Sequence, residues 1–169
     1  MVLFADVVDF TAFCDENPPE AAVSRLQGLI NGFEEIALSE GLEKIKTIGD
    51  AIMATANLLQ PTDQPLVSAA RGARRMVEAA PHLAQGWQVR IGMHVGPVVA
   101  GVIGQQQHLF ALWGGTVNIA ARITDLAGPS NVCISAAVRQ GLRAQTTPLG
   151  NVAVKGKGQL EVFSLGGLR

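Results

Sequence analysis

Two aspartates stand in this sequence where structure alone has little use for them. Asp6 interrupts an apolar segment, with Val2-Leu3-Phe4-Ala5 before it and Val7-Val8 after it, and Asp50 follows Gly49 at what reads as a tight turn. A carboxylate in an apolar strand must be neutralised or paired. Two of them meeting at strand ends offer hard oxygen ligands suited to Mg2+ shared with phosphate oxygens. Taken singly, each has a plainer alternative: Asp50 fixing its turn, Asp6 capping a neighbouring helix. The run from Asp6 through Val7 and Phe10 to Thr11 is a strand-to-turn transition whose backbone amides suit phosphate oxygens.

Lys44 and Lys46 alternate with Ile45, which predicts that both lysines share one face of a strand; a solvated face would look the same. Asn118 and Arg122 are four apart, hence neighbours on a helix, and Gly114-Gly115 lets a ligand approach the helix start. An amide and a guanidinium there suit a ribose oxygen and a phosphate, although ordinary surface residues read alike. Lys155 and Lys157 sit in a glycine frame that serves an anion or a polar hairpin tip equally. His82, His94 and His108 lack metal-ligand spacing, and the sequence contains neither a GxSxG nucleophile motif nor a Walker A loop.

The elements that must position these residues follow from periodicity. Val2 to Val8 reads as a buried strand. A helix follows, with Asn17 as N-cap, Pro18 first, and Ala22, Leu26, Ile30 and Phe33 at helical spacing until Gly41. Leu42–Ile48 and Ala51–Ala56 form a hairpin around Gly49, and Val67–Ala80 is a second amphipathic helix with Arg71, Arg74 and Arg75 outward. Gln88–His94 and Val98–Ile103, separated by Gly96-Pro97, are expected to form a second hairpin. This βαββαβ order, with two helices on one face of an antiparallel sheet, is ferredoxin-like and predicts the α+β class. A helix over Val117–Leu126, a strand over Val132–Ser135 and a hairpin over Val152–Leu165 extend it at the C-terminal side.

At 169 residues the chain is expected to be one domain, residues 1–169. Its 48% apolar content against 16% charged residues suggests a surface partly covered by a partner. A net charge of −1 argues against a nucleic-acid surface. Cys14 and Cys133 stand alone, so neither a disulfide nor a zinc site is expected and the compartment reads as reducing and cytoplasmic. No apolar run reaches the ~18–20 residues that cross a bilayer. The abrupt start in a strand suggests a module preceded, in the native protein, by sensor or membrane segments.

Phe4-Ala5-Asp6-Val7-Val8-Asp9-Phe10-Thr11, Glu43-Lys44-Ile45-Lys46-Thr47-Ile48-Gly49-Asp50-Ala51, Trp113 through Arg122 and Val154-Lys155-Gly156-Lys157-Gly158 together resemble the class III adenylyl and guanylyl cyclases. The similarity covers nearly the whole chain in the family's order. The resemblance implies that Asp6 and Asp50, with the Val7 carbonyl, hold two Mg2+ (or Mn2+) ions per site. It also implies that the ribose 3′-hydroxyl attacks the α-phosphorus of ATP, giving cyclic AMP and pyrophosphate. By the same resemblance Asn118 orients the ribose, Arg122 stabilises the transition state, Lys155 binds the terminal phosphates, and Lys46 and Ala111 hold the base. Family members act as head-to-tail dimers, and this chain carries both halves of the site, so a homodimer is implied.

The base positions depart from the family pattern. Lys46 is the residue of adenylyl cyclases, whereas Ala111 stands where many of them carry aspartate, and alanine accepts no hydrogen bond from the adenine amino group. Gly115 and Asp9 are smaller departures, Asp9 replacing a frequent glycine. A guanylyl or dual-specificity cyclase therefore remains open, as does a catalytically silent nucleotide-binding domain that regulates an attached module.

Overall fold

The computed structural model describes residues 1–104, 109–154 and 158–168. Its α+β architecture starts with β1 (Val2–Val7), a short α1 (Phe10–Glu16), the long α2 (Pro19–Ser39), β2 (Glu43–Ile48), β3 (Ala51–Thr55) and α3 (Pro65–Leu83). It continues with β4 (Val89–His94), β5 (Val99–Ile103), β6 (Leu109–Trp113), α4 (Gly115–Leu126), β7 (Asn131–Ser135), α5 (Ala136–Gly141), β8 (Ala144–Val154) and β9 (Gly158–Leu168). Seven strands form one sheet in the order β2-β3-β1-β4-β7-β9-β8. The first four reproduce the ferredoxin-like order expected from the βαββαβ pattern.

β1 is apolar on both faces because both are covered. Leu3, Ala5 and Val7 join the core with Leu29, Phe33 and Ile36 of α2 and Ala69, Ala73 and Met76 of α3. Val2 and Phe4 point the other way, toward Met53, Leu112 and Ala120 of α4. Fully burying side chains such as Phe33 or Met76 contributes about 2 kcal/mol each. Farther along the sheet, Ile119 and Ile123 of α4 pack on Cys133 and Val162. Among the described residues no helix is long and apolar enough to cross a membrane.

Several expectations need correction. Gln88–His94 and Val98–Ile103 do not pair: both edges of β4 are taken, by β1 and by β7, so β5 pairs instead with β6 in a separate two-stranded ribbon. The sheet is not wholly antiparallel, because β4 and β7 run parallel, joined through the ribbon and α4. Asn17 caps no helix start; its side-chain amide donates to Phe13 O at 2.9 Å, closing α1, and α2 begins at Pro19. α1 exists because Phe10 and Phe13 both set their rings edge-on to Trp87, at 5.6 and 5.1 Å. The last hairpin begins at Ala144 rather than Val152.

Gly92 lies on β4 directly under α4. A Cβ there would stand 2.3 Å from Thr124 N and 2.7 Å from Ala120 O, backbone atoms that move only with the helix. Gly92→Ala should therefore destabilise the fold by about 3 kcal/mol in urea unfolding, the upper part of the overpacking range. A loss under about 0.5 kcal/mol would show that α4 does not rest on the sheet so closely.

Candidate active site

The β1–β3 register brings the two aspartates together. Ala5 faces Ile52, so Asp50, two residues before Ile52, comes level with Val7, two residues after Ala5. Gly49 takes the positive φ of 61° that the first position of a tight hairpin turn requires, which delivers Asp50 to the end of β1. The Asp50 carboxyl titrates above the usual carboxylate range. Burial raises it most and the neighbouring Asp6 raises it further, while its own amide and that of Val7 pull it back. On the far side of β1, Arg90 sits opposite Asp6 and donates to Asp6 Oδ2 through Nε at 2.8 Å, with Nη2 at 2.6 Å from the same oxygen. Asp125 of α4 lies 3.9 Å from that Nη2.

These groups line a cleft of about 460 Å3 with Asp9, Phe10, Thr11 and Ala12 of the β1–α1 segment. Asp6, Val7, Phe10, Thr11 and Asp50 are thus gathered in one cleft. Arg90 was not anticipated; alternation in β4 puts it on the face of Gly92, but its partner depends on a strand pairing that spacing does not reveal. A second hollow of about 500 Å3, between the start of α3 and α5, is lined mainly by Pro65, Leu66, Val67, Leu142 and Leu168. It has no converging carboxylates, so the smaller cleft is the better candidate on chemistry.

The donor set fits a divalent cation of the Mg2+ kind. Among the described residues no three His, Cys, Asp or Glu side chains converge, so the Asp6–Asp50 pair is an open set. It leaves coordination positions for water and phosphate oxygens, as Mg2+ prefers, where a structural zinc would need a closed cage.

The remaining residues stand elsewhere. Asn118 and Arg122 are both exposed on α4 and do not line the cleft. Gly114, at φ 131°, leads into that helix. Ala111 is buried at 8% exposure on β6, facing Gly101. The two lysines of β2 do not share a face. Lys44 faces Ala54 and pairs with Glu34 of α2, but the register slips by one residue before Lys46, which faces Met53 on the α4 side. A β-bulge at Ile45 thus separates two residues that simple alternation would keep together. Lys155, Lys157 and His108 lie outside the described residues.

The sequence profile of the family described as adenylate and guanylate cyclase catalytic domain matches residues 1–167. The chain is 32% identical over 172 residues to guanylate cyclase soluble subunit beta-2 of Rattus norvegicus, covering 97% of this chain and 25% of that protein. It is also 32% identical over 176 residues to the germination-specific adenylate cyclase of Dictyostelium discoideum, covering 98% of this chain and 20% of that one. The chain thus spans a quarter or less of the length of these relatives. Among solved structures it is similar to the guanylate cyclase domain of RhGC from Catenaria anguillulae in complex with GTP. The TM-score is 0.91 at 28% identity, over 99% of this chain and 96% of that one.

The raised Asp50 pKa has a thermodynamic sign. Above that pKa the ionised carboxyl opposes folding, and the penalty disappears as protonation proceeds. Asp50→Asn should raise the metal-free melting temperature at pH 7 by about 2 °C, a small shift because the half-buried group is screened by solvent. The difference should close as the pH falls through the raised pKa to below the ordinary 3.8. Calorimetric melts across that range check it; a variant that melts lower than the wild type at pH 7 contradicts it.

Proposed function

Because the chain belongs to the adenylate and guanylate cyclase catalytic domain family, we propose that it converts ATP to 3′,5′-cyclic AMP and pyrophosphate at sites shared across a head-to-tail homodimer. The observation that carries this reading is the division of the candidate residues into two separate groups. Asp6, Val7 and Asp50 converge in the cleft, whereas Asn118 and Arg122 stand exposed outside it on a helix of the same chain. A second copy, turned about a two-fold axis, would bring each group to face the other. The ribbon supplies a surface for such a contact: Val99, Val102, Ile103 and Trp113 are between 41% and 66% exposed, and charged residues are absent from β5 and β6.

Two Mg2+ or Mn2+ ions held by Asp6, Asp50 and the Val7 carbonyl would supply Lewis-acid activation of the ribose 3′-hydroxyl and neutralise the triphosphate. The chain's own residues do the rest by position. The backbone at Phe10 and Thr11 receives phosphate oxygens, and Arg90, paired with Asp6, holds that carboxylate in place from the same wall. Lys155 would reach the terminal phosphates. From the partner, Asn118 fixes the ribose so that its 3′-oxygen lies in line with the α-phosphorus, and Arg122 meets the charge that grows on the transferred phosphoryl group. On the same copy as Asn118 and Arg122, Lys46, turned to the α4 side by the bulge, holds the base beside Ala111.

Ala111 supports a second reading, a guanylyl or dual-specificity cyclase. Its buried methyl group supplies no acceptor for the adenine amino group, and the relatives at 32% identity carry both names. The regulatory input would come from segments beyond this chain, since it spans only a part of those relatives.

The test is cyclic nucleotide formation from ATP and from GTP with Mn2+ or Mg2+, over a range of protein concentrations. ATP should be favoured about tenfold, and activity should rise faster than linearly with protein. Asp50→Ala and Arg122→Ala should each lose at least about 100-fold. Mixed in equal amounts they should recover about a quarter of wild-type activity, because half the dimers then hold one intact site of two. Absence of product from either nucleotide in a confirmed dimer would leave only the silent regulatory domain.

A further inference from the structure

Asp9 resists a purely structural explanation. At φ 56° and ψ 28° it sits in the left-handed region, which aspartate adopts less readily than glycine. Aspartate ordinarily earns the start of a helix by capping it, but the Asp9 side chain makes no capping bond to α1. Nor does its carboxylate meet a cation or hydrogen-bond donor among the described residues. It is exposed, and it lines the same cleft as Asp6, Asp50 and Arg90.

Asp9 lines that cleft from the β1–α1 segment, whereas Asp6 and Asp50 come from β1 and the β2–β3 turn. Asp9 adjoins Phe10 and Thr11, the segment whose backbone is offered to phosphate oxygens. We infer that Asp9 is a release residue: an uncompensated carboxylate on the polyphosphate side of the cleft that weakens the hold on pyrophosphate.

The inference rests on the cyclase reading of the site. Repulsion between like charges scales with the charge of the ligand. It therefore acts strongly on pyrophosphate, which carries several negative charges, and weakly on a cyclic nucleotide, which carries one. The α–β phosphate bond breaks as the 3′-oxygen bonds to the α-phosphorus, and the electron pair leaves on pyrophosphate, so this product is also the one that can block the cleft. An aspartate at this left-handed position would exchange a little local stability for faster clearance.

Wild type, Asp9→Asn and Asp9→Gly would be titrated calorimetrically with Mn2+ alone and with inorganic pyrophosphate in the presence of Mn2+. Asn keeps the shape and tolerates the left-handed backbone, while Gly adopts that backbone more readily still. Both variants should bind pyrophosphate about fivefold more tightly than the wild type, a gain that shrinks at high salt, with Mn2+ affinity within about twofold. A residue serving only the turn would raise the melting temperature in Asp9→Gly and leave pyrophosphate affinity within about twofold in both variants, which overturns the inference. If Asp50→Ala binds Mn2+ as well as the wild type does, the cyclase reading of the cleft fails instead.

Discussion

Carboxylates do not approach each other unless something holds them, and at the end of β1 the sheet does the holding. The β1–β3 register fixes Asp50 level with Val7, and the Gly49 turn leaves it nowhere else to go. Burial and the neighbouring Asp6 both push the Asp50 carboxyl toward its protonated form. Arg90 on the opposite side of β1 offsets part of that tension at Asp6, and the amides of Val7 and Asp50 offset part at Asp50. What remains is an electrostatic demand for positive charge, built into a strand whose other residues are buried on both faces. The core contributes the stability that this arrangement draws on.

Burying β1 on both sides has a second consequence. α2 and α3 close one face, so among the described residues α4 is the helix left to carry exposed polar groups near the sheet's other face. It rests so closely on β4 that Gly92 has no room for a side chain, and its inward residues, among them Thr116, Ile119 and Ile123, are fully buried. Asn118 and Arg122 therefore point outward by default. In the proposed homodimer that outward polar face would meet the partner's cleft rather than its own.

How much of this was legible depended on whether a feature was local. β1, the long α2 and the Gly49 turn were readable because apolar periodicity and a single glycine determine them. α1 was not, since its Phe10 and Phe13 gain their meaning only from Trp87, far along the chain. The ribbon of β5 and β6 was misassigned because Gly96-Pro97 signals a turn without saying which strand it returns to. Asp6 and Asp50 stood out as carboxylates in the wrong surroundings. Arg90 did not, because an arginine in a strand is unremarkable until the pairing puts it across from Asp6.

The distribution of cations separates the residues proposed to bind nucleotide from the others. Lys44, Arg71, Arg74, Arg75 and Arg90 each meet a carboxylate, and Arg25 and Arg139 lie over the rings of Phe13 and Phe163. Lys46, Arg122 and Arg143 have no such partner among the described residues. An exposed cation without a partner loses little, because water solvates it. One already paired must break that contact before it can serve a ligand. On this physical ground Lys46 and Arg122 are better prepared for an anionic nucleotide than their paired neighbours. The bulge at Ile45 is what permits it, since regular alternation would have turned Lys46 toward the face where Lys44 meets Glu34 of α2.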